Sequence, residues 1–264
     1  MRKILKFTGY IAGVVILILI GLLSYVKLAL PDVGFAPELK IEINSKKIER
    51  GNYLANHVML CMDCHSTRDW NLFSAPMILG TEGKGGETFD QKLGFPGKYI
   101  APNITPFHLQ NWTDGEIFRA VTSGVSKDGR ALFPIMPHHL YGQLDKSDIE
   151  AVIAYIRNLK PIESETEISS SEFPMNFIIN TIPKKPTFGK IPQQSDKINY
   201  GKYMITAAGC IDCHTKQDKG EFVGELYAGG FEFKLQDGSV VRSANLTPDK
   251  TTGLGNWTSE QLIN

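Results

Sequence analysis

The sequence has no excess of charge of either sign, because 28 lysine and arginine residues balance 28 aspartate and glutamate residues. A protein that binds nucleic acid is expected to carry a basic domain or stripe, so we expect no nucleic-acid partner. Cysteine is scarce as well, with four residues in a chain of 264. The length and a hydrophobic content of 42% suit one or two modest domains.

The scarce cysteines all lie in two copies of one pattern, Cys-x-x-Cys-His. The residues are Cys61, Cys64 and His65 in the first copy, and Cys210, Cys213 and His214 in the second. The adjoining histidine makes covalent haem attachment the favoured interpretation. Thiols three residues apart lie on one side of a helical turn, where they can reach the two vinyl groups of a porphyrin. The neutral imidazole that follows can then bind the iron. The pattern predicts two covalently attached haem c groups.

Two other chemistries share the Cys-x-x-Cys spacing. A zinc ribbon usually places its two cysteine pairs about 15 to 20 residues apart, and the pairs at 61 and 210 are far more widely separated. A thioredoxin-like redox centre follows a strand in a βαβ pattern. The segment KKIERGNYLANHVML before Cys61 instead favours a helix with a broad apolar side. Neither alternative has its requirements met.

The chain begins with its one long apolar run. Residues 7–26 contain no charge and would span about 30 Å as a helix, which is about the thickness of a bilayer core. Arg2, Lys3 and Lys6 precede the run, so this end is expected on the cytoplasmic side. A cleaved signal peptide has a shorter apolar region of about 7 to 15 residues and an A-x-A-like site. No convincing site of that kind is present, so we expect an uncleaved anchor, and either an anchor or a cleaved signal would place the residues after Pro31 on the far side of the membrane.

A longer repeat surrounds the two motifs. Upstream, Tyr53 in RGNYLANHVMLCMDCH corresponds to Tyr203 in YGKYMITAAGCIDCH, and each is preceded two residues earlier by a glycine, Gly51 or Gly201. Downstream, the blocks APNITP and NWT are repeated as SANLTP and NWT, which match Asn103 with Asn245 and Trp112 with Trp257. The N-x-T sequons in these blocks fall at equivalent positions and need no glycan to explain them.

Local signals within the repeat predict further elements. Thr113 to Glu116 and Thr258 to Gln261 fit capping boxes, so a helix should begin after each tryptophan. The segment FEFKLQDGSVVRSA predicts a hairpin with Asp237 and Gly238 at the turn. Residues 80–86, GTEGKGG, lack the ending of a P-loop, so we expect a mobile glycine-rich loop.

With these motifs the chain resembles membrane-anchored members of the class I cytochrome c family that carry tandem haem domains. It is similar to the cytochrome subunits of bacterial membrane dehydrogenases for alcohols, aldehydes or gluconate. The resemblance covers residues 47–264 and implies a mainly α fold with small β-hairpin insertions. The implied organisation is a transmembrane anchor at 1–30, a linker at 31–46, a first cytochrome c domain at 47–163, a second linker at 164–194 and a second domain at 195–264.

The family also places a methionine on the distal side of the iron, in a loop before a crossing helix. Met136, between Pro134 and Pro137 in RALFPIMPHHLYGQL, matches that position. The rings restrict the backbone that would present this weak ligand. His138 and His139 are rival ligands, and bis-histidine ligation would lower the reduction potential.

The crossing helix matches DKSDIEAVIAYIRNLKP, which should begin at an Asp145 cap and end near Pro161. The counterparts of Met136 and of this helix in the second copy would fall beyond residue 264. We therefore expect an incomplete second domain whose distal ligand cannot be assigned. Asp63 and Asp212, within the two motifs, are expected to face solvent. The serine- and proline-rich connector should wrap around the surface, with FPMNFIIN docking against one domain.

A haem ligated on both faces leaves no coordination site for a substrate. The resemblance therefore implies an electron carrier rather than an enzyme. Its expected donor is a membrane or periplasmic dehydrogenase, and its expected acceptor is an oxidase or another cytochrome. Two alternatives stay open at this point: a dihaem peroxidase, in which one iron lacks a distal ligand, and a non-catalytic haem docking module.

Overall fold

A computed structural model describes residues 2–218, 220–235 and 238–263. This part of the chain is mostly helical, as predicted. The helices are α1 Arg2–Leu28, α2 Ser45–His57, α3 Cys61–Cys64, α4 Pro106–Leu109, α5 Asp114–Ser123, α6 His138–Tyr141, α7 Lys146–Arg157, α8 Met175–Ile178, α9 Lys197–Ala207, α10 Cys210–His214 and α11 Ser259–Ile263. Single 3-10 turns lie at Gln91–Leu93 and Ile179–Thr181.

The strands are short and antiparallel. They are β1 Thr88–Phe89, β2 Gly97–Ile100, β3 Ser170–Ser171, β4 Gln217–Asp218, β5 Glu221–Phe222, β6 Glu232–Lys234 and β7 Val240–Arg242. They form a three-stranded sheet of order β1-β2-β3 and two hairpins, β4-β5 and β6-β7. The predicted hairpin is the β6-β7 pair, in which Phe233 lies opposite Val241. Its predicted turn residue Asp237 lies outside the described residues.

Helix α1 has the properties of a membrane span. Within its segment Lys3–Leu28, an 18-residue window has a mean hydropathy of 2.5, and none of that window is buried inside the protein. By length and composition this helix is a candidate anchor. Helix α1 contacts α8 and the 3-10 turn that follows α8. The Lys27 ammonium lies 5.7 Å from the centre of the Phe177 ring.

The first globular unit is built around the crossing of α2 and α7. The two backbones touch at Gly51, where a Cβ atom would overlap the carbonyl oxygen of Ala151. Leu54 and Ile153 are fully buried beside the crossing. The predicted cap of α7 is present, since the Asp145 carboxylate accepts a hydrogen bond from the Ser147 amide. The crossing therefore fixes the position of α2, the helix that leads into the first Cys-x-x-Cys-His motif, against α7.

Two other predicted capping arrangements are present. The Thr113 hydroxyl accepts from the Glu116 amide, and the Glu116 carboxylate accepts from the Thr113 amide. Thr258 and Gln261 make the same reciprocal pair before α11. Each caps a helix that begins after the tryptophan of its repeat, because these side chains satisfy amides that have no partner within the first turn.

The connector between the repeats joins the first unit. Its strand β3 pairs with β2, with Ser171 opposite Gly97. The second unit is also attached to the first, because Tyr203 and Ala207 of α9 lie in the same buried cluster as residues of α2 and α7. The Tyr203 hydroxyl donates to the Asp148 carboxylate at 2.7 Å, in a buried position.

Candidate haem-attachment sites

The first motif lies just beyond α2. Leu60 adopts a left-handed conformation, with φ of 54°, and turns the chain into the short helix α3, Cys61–Cys64. His65 follows, and its Nδ1 lies 2.8 Å from the carbonyl oxygen of Pro102. Because a carbonyl only accepts, Nδ1 carries the hydrogen in this bond. Nε2 then keeps its lone pair, which is the state that a histidine needs to bind a metal.

The second motif repeats this geometry. Gly209, with φ of 68°, takes the place of Leu60 before helix α10, Cys210–His214. The Nδ1 of His214 lies 2.8 Å from the carbonyl oxygen of Ala244. Both imidazoles are thus oriented by a backbone carbonyl of the residue just before the repeated asparagine, which is Asn103 in the first copy and Asn245 in the second. The two motifs therefore have the same local backbone and hydrogen-bond geometry.

The glycine-rich loop, residues 80–86, packs against the first motif. The Gly85 amide donates to the carbonyl oxygen of His65 at 2.9 Å, and the Gly83 amide donates to the Ser66 hydroxyl at 3.2 Å. Gly85 has a φ of 76°, and a Cβ there would come within 2.5 Å of the Asn103 amide nitrogen. This close approach explains the need for glycine. The loop therefore supports the motif.

The electrostatics of the first motif do not suit a redox-active thiol pair. Burial raises the pKa of Cys61 to about 12, with a further contribution from Cys64. Burial and then the Asp63 carboxylate raise the pKa of Cys64 to about 11. Reactive or zinc-binding cysteines show the opposite shift. Burial also lowers the pKa of His65, so its imidazole is neutral at pH 7. Protonated thiols beside a neutral imidazole agree with the haem interpretation.

The cysteines are free thiols in this structure, and neither pair forms a disulfide. In the described ranges no group of three or more histidine, cysteine, aspartate or glutamate side chains lies close enough to hold a metal ion. The two thiol pairs thus do not converge on a four-ligand zinc site of the kind that a zinc ribbon needs.

A cavity of about 600 Å³ opens beside the first motif. The volume lies within the usual range for cofactor and ligand sites, about 300 to 1,000 Å³. Cys61, Cys64 and His65 form part of its lining, and Met136 lies in the lining as well. Most of the remaining wall is apolar. It includes Leu109, Ile117, Val121, Phe133, Val152 and Ile156. The thiols, the imidazole and the thioether that the sequence singled out thus share one apolar chamber, which fits a haem.

The rival ligands His138 and His139 do not line this cavity. His138 is buried, and its ring packs so closely on Gly124 that a Cβ at that glycine would overlap it. His139 points to the second unit, where its Nε2 donates to the Asp212 carboxylate at 3.2 Å. The structure therefore brings Met136, rather than either histidine, to the chamber of the first motif.

Asp212 differs from the sequence prediction. It was expected to face solvent, but its side chain is only 25% exposed and accepts the hydrogen bond from His139. The cause is the docking of the second unit on α6, which places α10 next to the loop that follows Met136. Asp212 and Cys213 also border the cavity of the first motif. The two candidate sites consequently adjoin each other.

Several functional candidates gave no signal in the sequence. Lys27 of the anchor helix and Asn176 and Asn180 of the connector line the same cavity. Lys27 belongs to a segment that was predicted only as an anchor. Asn176 and Asn180 belong to FPMNFIIN, which was expected to dock against one domain without any indication of which residues would line a haem site. Their position depends on the pairing of β3 with β2, for which Ser170–Ser171 carries no strand pattern.

A mainly helical chain with two Cys-x-x-Cys-His motifs, each with its histidine oriented by a backbone carbonyl, has the features of a c-type cytochrome. No protein-family model matches the sequence. The chain is 26% identical over 236 residues to the cytochrome c subunit of the quinone alcohol dehydrogenase of Komagataeibacter europaeus, covering 84% of this chain and 47% of that protein. It is 25% identical over 255 residues to the gluconate 2-dehydrogenase cytochrome c subunit of Pantoea cypripedii, covering 90% and 55%.

A dihaem c-type cytochrome of Cereibacter sphaeroides is 24% identical over 170 residues, which cover 60% of this chain and 54% of that protein. The chain spans about half the length of these curated relatives. Two of them are named as cytochrome c subunits of dehydrogenases, and the third is named as a dihaem c-type cytochrome. The predicted resemblance to cytochrome subunits of bacterial alcohol and gluconate dehydrogenases is confirmed.

Proposed function

We propose that this chain carries two covalently attached haem c groups and transfers electrons at the periplasmic face of a bacterial inner membrane. Its donor is a membrane or periplasmic dehydrogenase, and its acceptor is an oxidase or another cytochrome. The observation that carries the proposal is the repeated geometry of the two motifs, in which each histidine Nδ1 donates to a carbonyl oxygen at 2.8 Å. That bond prepares each Nε2 for an iron.

Each residue of the sites has a proposed role. The thiols of Cys61 and Cys64, and of Cys210 and Cys213, form the thioether bonds. His65 and His214 are the proximal ligands, and Met136 is the distal ligand of the first haem. The bound group supplies a reversible one-electron change. A thioether ligand in an apolar chamber raises the reduction potential of that change, and ligation by His65 and Met136 together excludes substrates from the first iron.

The placement at the membrane rests on α1, which is long and apolar enough to span a bilayer. The dehydrogenase partner rests on the relatives, two of which are cytochrome subunits of alcohol and gluconate dehydrogenases. We propose two cytochrome c domains, at residues 47–163 and 195–264. The contact between α6 and α9 would keep their haems close enough for electrons to pass from one to the other.

A redox titration of the full chain in detergent tests this function. Dithionite and ferricyanide should reduce and reoxidise both haems completely and repeatedly, as followed by visible absorbance. Addition of hydrogen peroxide with a reducing dye should give no catalytic turnover. Sustained peroxide-dependent oxidation of the dye would instead support a dihaem peroxidase. Haems that neither accept nor return electrons would support a docking module.

A further inference from the structure

The cavity beside the first motif is closed in part by segments outside residues 47–163. Lys27, at the end of the anchor helix, lies in its lining. The connector contributes Ser169, Ser171, Asn176 and Asn180. These polar side chains lie in a lining that is otherwise mostly apolar. We call Lys27, Asn176 and Asn180 the polar sector below.

The connector is fixed in this position by several hydrogen bonds. The Ile100 amide donates to the Ser169 hydroxyl at 2.9 Å, and the Glu172 amide donates to the carbonyl oxygen of Pro96 at 3.0 Å. Helix α8 lies a few residues further along the chain and contacts α1. The ring of Phe177 then lies under the Lys27 ammonium. The polar sector is thus held by the first sheet.

Two features of the polar sector point to an anionic ligand. The Asn176 side chain has a buried Oδ1 atom with no hydrogen-bond partner among the described residues. The same side chain also carries an NH₂ group, a donor that suits a carboxylate, and Asn176 lies in the cavity lining. The second feature is Lys27, an exposed cation at the edge of the cavity that makes no ion pair within the described chain.

Charge explains why these groups matter. A haem carries two propionate carboxylates, and a carboxylate in an apolar chamber is costly unless it is paired or hydrogen-bonded. Lys27 and Arg130 are the lysine and arginine side chains in the described lining. Arg130 already has Asp128 at 4.0 Å. Lys27 is therefore the cation most available to a propionate, with the amide of Asn176 beside it.

We infer that Lys27 and Asn176 bind a propionate of the haem attached at Cys61 and Cys64. This inference rests on the proposed function. The anchor helix thereby becomes part of the first haem site, in addition to holding the protein at the membrane. A cation next to a propionate stabilises the reduced haem relative to the oxidised one, since reduction removes a positive charge from the site. Lys27 and Asn176 consequently raise the reduction potential of the first haem.

The test is a spectroelectrochemical titration of the full chain in one detergent. Lys27→Gln should lower the midpoint potential of one haem and leave the other unchanged. The equilibrium constant for reduction should fall about two- to fourfold, as expected for a unit charge near the mouth of a solvated site. Lys27→Arg should keep the wild-type potential. Lys40→Gln, at an exposed lysine outside the lining, is the matched control and should change nothing.

Further variants assign and secure the result. In a Cys210→Ala/Cys213→Ala background only the first haem remains, and its potential should still respond to Lys27→Gln. Asn176→Ala tests the polar sector without a change near the bilayer, and it should also lower the potential. If haem is present but neither Lys27→Gln nor Asn176→Ala shifts its potential, this inference is wrong while the electron-transfer function stands. If a pyridine haemochrome assay finds no covalent haem in the wild type, the proposed function fails first.

Discussion

Replacing Gly51 with alanine should destabilise the protein, although alanine is the better helix former. Gly51 lies within α2 at the point where that helix crosses α7. An added Cβ would overlap the carbonyl oxygen of Ala151 and would lie 2.8 Å from the Cβ of Tyr155. Both obstacles are main-chain atoms or atoms attached directly to them, so no side-chain rotation relieves the overlap. The two helices must move apart.

The magnitude follows from two opposing effects. Alanine in place of glycine inside a helix gains about 1 kcal/mol in intrinsic propensity. Overfilling a packed contact usually costs about 1 to 3 kcal/mol and occasionally more. Because the first atom met is a backbone oxygen, the cost should reach or exceed the upper end of that range. The expected net loss is about 2 kcal/mol in the free energy of unfolding.

The repeat supplies a matched control. Gly201 occupies the equivalent position in α9, and a Cβ there would meet no heavy atom within 4 Å. Gly201→Ala should therefore stabilise the chain by up to about 1 kcal/mol. Urea unfolding of both variants, followed by far-ultraviolet circular dichroism in one detergent, measures the difference. A Gly51→Ala variant as stable as the wild type would refute the close crossing of α2 and α7.

Three more substitutions test other contacts. Tyr203→Phe removes a buried bond to a carboxylate and should cost about 1.5 to 3 kcal/mol in urea unfolding; the equivalent Tyr53→Phe, at a residue 45% exposed, should cost almost nothing. Asn103→Ala removes the donor of two partly buried carbonyl oxygens and the acceptor of the buried Thr105 amide and hydroxyl, and should cost about 3 kcal/mol, which is more than Asn245→Ala. Met136→His should lower the midpoint potential of one haem, as measured by redox titration.

Each of these substitutions has a result that would contradict it. Equal losses for the two tyrosine variants would show that the second unit does not dock on the first as described. Equal losses in the free energy of unfolding for Asn103→Ala and Asn245→Ala would show that the hydrogen bonds of the buried Asn103 add no stability beyond those of Asn245. For the potential, Met175→Leu is the control, at a methionine outside the cavity lining. If Met136→His leaves both potentials unchanged, Met136 is not a ligand.

Local sequence signals predicted the elements that depend on neighbouring residues. The helix before Cys61, the cap at Asp145, the capping box at Thr113 and the β6-β7 hairpin all form. Each of these elements depends on residues that lie within a few positions of one another, so the amino-acid sequence alone is enough to predict it. The haem motifs could be found for the same reason, because their five residues are contiguous.

Contacts between distant segments could not be predicted in this way. Tyr53 and Tyr203 occupy the same repeat position, yet one is exposed and the other is buried against Asp148. No local pattern separates them, since the difference arises only when α9 packs beside α6 and α7. The same applies to Asp212, whose partner His139 comes from the other unit, and to Lys27, which the connector brings to the haem chamber.

The most direct test of haem attachment at the two motifs is a count of covalently attached haems per chain. Intact-protein mass spectrometry of the purified full chain, combined with a pyridine haemochrome assay, gives that number independently of activity. We expect two haems per chain, with Cys61→Ala/Cys64→Ala and Cys210→Ala/Cys213→Ala each reducing the count to one. A wild-type chain with one haem or none, or with zinc or disulfides at these cysteines, would contradict this expectation.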